Sequence, residues 1–136
     1  EEVIYIDISK GIDNGEILTI EKKGNIINNI QGNIEVKIVI IPHDNYERNG
    51  LDLIINKEIS LKESFCGFTF DLKYIDEKEF KINNKPGNVI PQFFKKVISN
   101  MGLERDNIKG NLVIQFNINY PKEFTQEQIE SLNNIL

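Results

Sequence analysis

The stretch His43-Asp44-Asn45-Tyr46-Glu47-Arg48-Asn49-Gly50-Leu51-Asp52-Leu53 decides how this chain is read, because it separates two apolar runs near the middle of the sequence. Before it, Ile34 to Ile41 alternates apolar residues with Glu35 and Lys37 until Pro42 removes a backbone donor and ends the strand. After it, Leu53-Ile54-Ile55 and Ile59 form the next strand region. The dense polar punctuation between them reads as no simple hairpin turn.

Working outward, period-two alternation with β-branched residues dominates, so the chain is expected to be mainly β. Val3 to Ile8 is an expected strand that Asp13-Asn14-Gly15 turns back onto Glu16 to Ile20 as a hairpin, since Asn-Gly tolerates positive φ. Ser60-x-x-Glu63 predicts a capped short helix closed by Gly67, within which Cys66 is expected to be a small buried hydrophobe. Phe68, Phe70, Leu72 and Tyr74 then alternate into a hairpin that turns at Asp76-Glu77 toward Phe80 and Ile82. Pro91 to Gly102 fits a helix or a strand equally by periodicity. Asn111 to Tyr120 is a strand ended by Pro121, and Thr125 with Gln128 caps a terminal helix over 125–136.

Composition excludes several classes. The 136 residues suit one domain or two small modules, with 40% apolar and 27% charged residues typical of a globular protein. No apolar run approaches the ~20 residues that span a bilayer. A net charge of −5, with lysines scattered along strands, gives no basic face for nucleic acid. The single cysteine makes no internal disulfide, so a reducing, cytoplasmic setting is expected, and no ligand spacing points to a metal or cofactor. Glu1 in place of an initiator methionine points to a piece of a longer protein.

The central stretch is similar to the H-x-x-F/Y-x-R-x-G-x-D-L segment of DnaJ-type co-chaperones, which joins their two β-rich carboxy-terminal domains. The resemblance extends along the chain. Ile6-x-Ile8-x-x-Gly11-x-x-x-Gly15, Gly32-Asn33-Ile34, Glu63-Ser64-Phe65-Cys66-Gly67-Phe68, Pro86-Gly87-x-Val89-Ile90, Lys96-Val97-Ile98-x-Asn100-x-Gly102-Leu103, Gly110-Asn111-Leu112 and Tyr120-Pro121 follow in an order and spacing near those of zinc-finger-bearing members. It favours extended backbone for Phe94 to Ile98. Leu103-Glu104 departs from the usual Met-Pro, and the loop from Lys96 to Gly110 is shorter. His-Pro-Asp, a Gly/Phe-rich linker and C-x-x-C-x-G-x-G repeats are absent, so stimulation of a DnaK-type ATPase by this chain alone is not expected.

The resemblance implies two small β-sandwich-like modules, the first partial, with short helices and a C-terminal helix. Residues 1–42 would be the latter part of the first peptide-binding domain, 43–53 the inter-domain segment, 54–121 the second domain and 122–136 a dimerisation helix. It also implies a non-enzymatic role: binding unfolded clients, forming a homodimer and assisting a DnaK-type chaperone. A structural adaptor on the same fold is the alternative. Tyr46 is the client-contact candidate by motif position, its other reading being an aromatic packed between modules. His43, Arg48, Gly50 and Asp52 belong to the inter-domain segment, with an Arg48–Asp52 ion pair expected to fix it. His43 has no evident nucleophile or orienting partner and is not expected to be catalytic. Asp71, Asp76 and Glu77 read as solvated acids. Phe124, Ile129, Leu132, Ile135 and Leu136 place apolar groups on a helix too short to stand alone, which docks on its own sheet or on a second copy.

Overall fold

Alternating burial along the strands matches the alternating sequence. The computed structural model describes residues 1–136 and is mainly β with two short helices. In chain order the elements are β1 (Ile17–Ile20), β2 (Ile26–Ile27), β3 (Ile30–Gln31), β4 (Ile34–Lys37), β5 (Tyr46–Asn49), β6 (Asp52–Ser60), α1 (Leu61–Cys66), β7 (Phe68–Lys73), β8 (Glu79–Asn84), β9 (Lys95–Ile98), β10 (Glu104–Arg105), β11 (Ile108–Lys109), β12 (Leu112–Asn119) and α2 (Gln126–Ile135). One four-stranded sheet has the order β5-β6-β12-β9, and the remaining strands pair two by two. No helix is long and apolar enough to cross a membrane. By compactness the chain divides into two units, residues 1–55 with 97–113 and residues 56–96 with 114–136.

In the first unit β1 pairs antiparallel with β4, Ile17 opposite Lys37 and Ile20 opposite Ile34. The Asn14-Gly15 turn does not fold back onto Val3 to Ile8, which forms no strand. Instead the Gly15 N–H donates to Ile38 O at 2.8 Å and Asn14 Oδ1 accepts the Ile40 N–H at 2.8 Å. The turn therefore continues the β1–β4 pairing, and the side-chain bond at Ile40 replaces the ladder, so the strand expected to reach Ile41 ends at Lys37. Two small hairpins escaped sequence reading. β2–β3 turns at Asn28-Asn29 and β10–β11 at Asp106-Asn107, each with both central residues at positive φ, the geometry of a type I′ turn.

The central stretch is itself a tight hairpin, contrary to expectation. β5 and β6 pair with Asn49 opposite Asp52, leaving Gly50-Leu51 as a two-residue turn. Gly50 has φ +61 while Leu51 stays negative, the glycine-first pattern of a type II′ turn. Leu51 O accepts the Leu103 N–H at 2.7 Å, tying this turn to the base of β10.

In the second unit the Ser60–Glu63 capping box forms as expected: Ser60 Oγ accepts the Glu63 N–H and Glu63 Oε1 accepts the Ser60 N–H. Gly67 ends α1 with φ +90, and a Cβ there would lie 2.9 Å from Asn84 O and from Pro86 N, so both conformation and space require glycine. Cys66 is exposed rather than buried, because the one residue α1 buries is Ser64, whose Oγ donates to Ile90 O. β7 and β8 form the expected hairpin, Phe68 opposite Asn84 and Lys73 opposite Glu79. Lys95–Ile98 is a strand, one residue short of the expected extended stretch because the Phe94 N–H closes a turn on Pro91 O, and the Thr125–Gln128 box caps α2. Ile59, Leu72, Ile114 and Phe116 anchor the core of this unit.

Candidate functional site

The singled-out residues of the central hairpin serve its architecture. His43 Nδ1 accepts the N–H groups of Asn45 and Tyr46 at 3.0 and 3.3 Å, fixing the entry to β5. The Tyr46 ring is only 5% exposed and meets the His43 ring edge-on at 5.4 Å, so it offers a ligand almost no area. Arg48 donates from Nη1 to Ile12 O at 2.6 Å, from Nη2 to Gly11 O at 2.7 Å and from Nε to Gly50 O at 2.8 Å, with Asp13 3.7 Å away. Asp52 instead accepts the Asn111 N–H at 2.7 Å.

The expected Arg48–Asp52 pair does not form, and the register explains why. Arg48 lies opposite Leu53 while Asp52 lies opposite Asn49, so the two side chains leave opposite faces of the hairpin. Sequence reading also missed Arg105 and Glu16, which are paired here. That guanidinium and the Asp13 N–H hold the Glu16 carboxyl at about 2, well below its ordinary 4.5. They lie far apart in sequence, and only the unnoticed β10–β11 hairpin brings them together.

Two apolar concavities occur in the second unit. The larger lies between α1 and α2: about 590 Å³, lined chiefly by Leu61, Phe65, Tyr120, Phe124, Leu132 and Ile135. That is within the range of ligand sites, and its wall is almost wholly carbon. The sequence positions the wall from both ends. Capping boxes start both helices, Pro121 stops β12, and the three-residue spacing of Leu132 and Ile135 keeps both on the groove side of α2. Nevertheless α2 buries none of its residues, and Ile135 and Leu136 remain 77% and 84% exposed.

The smaller concavity, about 200 Å³, is an aromatic cleft lined by Phe68, Ile82, Ile90, Phe94 and Phe116, with Asn84, Asn88 and Lys96 as its polar members. Phe116 is its buried floor, 5.6 Å edge-on from Phe68 and 6.4 Å stacked from Phe94. Asn84 and Asn88 hold each other at one end, Asn84 Nδ2 donating to Asn88 O and Asn88 Nδ2 to Asn84 Oδ1, both at 2.9 Å. Phe68 and Ile82 come from one face of the β7–β8 hairpin, and the segment carrying Phe94 is set by two backbone bonds, the Phe116 N–H donating to Phe94 O at 2.9 Å and the Phe93 N–H to Phe116 O at 3.1 Å.

Neither concavity gathers an acid, a base and a nucleophile. No group of three or more His, Cys, Asp or Glu side chains is placed to hold a metal ion. Desolvation raises the Tyr74 phenol above its ordinary value, with nearby Asp76 adding to the effect. What the arrangement can do is bury another molecule's apolar side chains.

Residues 1–121 match the family described as the DnaJ C terminal domain. The chain is 29% identical over 140 residues to "Chaperone protein dnaJ 2" of Arabidopsis thaliana, covering all of this chain and 33% of that protein. It is 30% identical over 139 residues to "DnaJ homolog subfamily A member 1 homolog" of Dictyostelium discoideum, covering all of this chain and 30% of that protein. "DnaJ protein ERDJ3B" of Arabidopsis thaliana is 31% identical over 134 residues, covering 97% of this chain and 38% of its own length. The chain thus spans about a third of the length of the curated relatives it matches.

Proposed function

The chain belongs to the DnaJ C terminal domain family, and from that premise we propose that it is the client-binding and self-associating part of a DnaJ-type co-chaperone. It holds non-native polypeptides and assists a DnaK-type ATPase in a reducing compartment such as the cytoplasm. Residues 1–42 are read as the latter part of the first peptide-binding domain, 43–53 as the segment joining the domains, 54–121 as the second domain and 122–136 as the dimerisation helix. No step in this activity requires a catalytic side chain.

The observation that carries the reading is the open groove between α1 and α2. A ten-residue helix is too short to hold its fold by backbone bonding alone, and its apolar side chains here remain at the surface. Such a helix is suited to lie against a matching apolar surface of a second copy. Tyr46 keeps its motif position but not the exposure a client contact needs, so client contact is assigned to the exposed apolar residues instead.

The test is co-sedimentation of the chain with a permanently unfolded, reduced and alkylated protein, beside the same protein in its folded form. Binding confined to the unfolded form is the expected result. Equal binding of both, or of neither, would favour an adaptor with fixed partners.

A further inference from the structure

We infer that the aromatic cleft takes one large apolar side chain from an extended polypeptide segment in which an acidic residue lies beside that side chain, the acid being met by Lys96 and Lys57. The inference rests on the client-binding reading and names the chemistry of the client. An engineered apolar cavity of about 150 Å³ admits benzene, so the cleft's volume of about 200 Å³ has room for one ring or branched aliphatic group. A helix does not fit. A second copy's α2 is therefore not the occupant, and a single side chain of an extended segment is.

Charge at the cleft selects among such segments. None of its lining residues is a carboxylate, and Lys96 is among them. Lys96 Nζ donates to Asn83 O at 3.4 Å, a long and exposed bond that leaves the other ammonium protons available. Lys57 Nζ stands 4.8 Å from the centre of the Phe70 ring, which stacks at 5.9 Å on Phe68 of the cleft wall. Two ammonium groups therefore flank the aromatic cluster.

Nearby acids do not cancel them. On the β7–β8 hairpin Asp71 lies opposite Lys81 and Glu79 opposite Lys73, all on the face away from Phe68, Phe70 and Ile82. From Phe80 to Lys96 the sequence holds Lys81, Lys85, Lys95 and Lys96 and no Asp or Glu, in a chain of net charge −5. A basic flank on the client meets repulsion here, and an acidic one attraction.

The test is fluorescence anisotropy on the full 136-residue chain, with three labelled peptides that share one Leu-Phe core and differ only in flanking Asp, Asn or Lys. Exposed pairs of this kind set the scale, so the Asp-flanked peptide is expected to bind about two- to fivefold more tightly per lysine engaged than the Asn-flanked one, with the Lys-flanked one weakest. The spread should collapse between about 0.05 and 0.5 M salt and in the Lys57→Gln/Lys96→Gln variant, while binding of the Asn-flanked peptide persists. In the unaltered chain, methyl resonances of Ile82 and Ile90 should shift on titration. Equal affinity for the three peptides, a preference that survives the double substitution, or methyl shifts that avoid both isoleucines would overturn the inference and leave client binding standing. Binding of none of the peptides would overturn both.

Discussion

Arg105 meets Glu16 through two parallel hydrogen bonds, Nη1 to Oε2 at 2.7 Å and Nη2 to Oε1 at 2.6 Å, tying the β10–β11 hairpin to the start of β1. The Glu16 carboxyl ionises in the folded chain at about 2 against an ordinary 4.5. A depressed folded value means that the pair stabilises the fold above the ordinary one and is lost as pH falls through the folded one. The stability gap between the native chain and Glu16→Gln should therefore be constant above pH 4.5 and close between 4.5 and about 2. Urea midpoints across that range measure it; a gap that stays open below pH 2 would show that the pair does not act through this charge.

Arg48 and Asp52 secure different segments, so a double-mutant cycle separates them from an ion pair. Arg48→Ala should cost about 2 kcal/mol, since two charge-assisted bonds to half-buried carbonyls, Gly11 O and Ile12 O, and an exposed one to Gly50 O are lost. Asp52→Ala should cost about 1–2 kcal/mol through the unsatisfied Asn111 N–H. Their coupling should stay within about 0.5 kcal/mol. A coupling well above that would restore the ion pair.

The caps of α1 make two further expectations. Ser60→Ala should cost about 1 kcal/mol by freeing the Glu63 amide, read as a lowered denaturation midpoint at unchanged slope. Gly67→Ala should cost more, roughly 1–3 kcal/mol for the backbone conformation before any clash with Asn84 O and Pro86 N is counted. Near-neutral behaviour at Gly67 would mean that α1 ends in another way.

Sequence alone made much of this fold legible, for physical reasons that differ by element. Burial alternates along Leu112–Asn119 as the residue types do, so β12 could be read directly. Both capping boxes needed only residues three apart. The β5–β6 turn was misread because the glycine-first pair Gly50-Leu51 is a weaker hairpin signal than Asn-Gly, while Asn14-Gly15, the stronger signal, serves a β1–β4 ladder whose partner is distant. Asn28-Asn29 and Asp106-Asn107 carried local turn chemistry that was passed over because the strands beside them have two residues each. The groove residues on α2 were visible as a helical stripe. The aromatic cleft was not, since Phe68, Ile82, Phe94 and Phe116 converge only through tertiary pairing.

Sedimentation equilibrium of the chain, repeated with Leu132→Asp, addresses the central claim most directly, because it asks whether the open α1–α2 groove is a self-association surface. The native chain should sediment as a dimer of 15.7 kDa subunits, and Leu132→Asp as a monomer that keeps its denaturation midpoint. A native chain monomeric at every concentration, or a dimer that survives Ile129→Asp combined with Leu132→Asp, would contradict it.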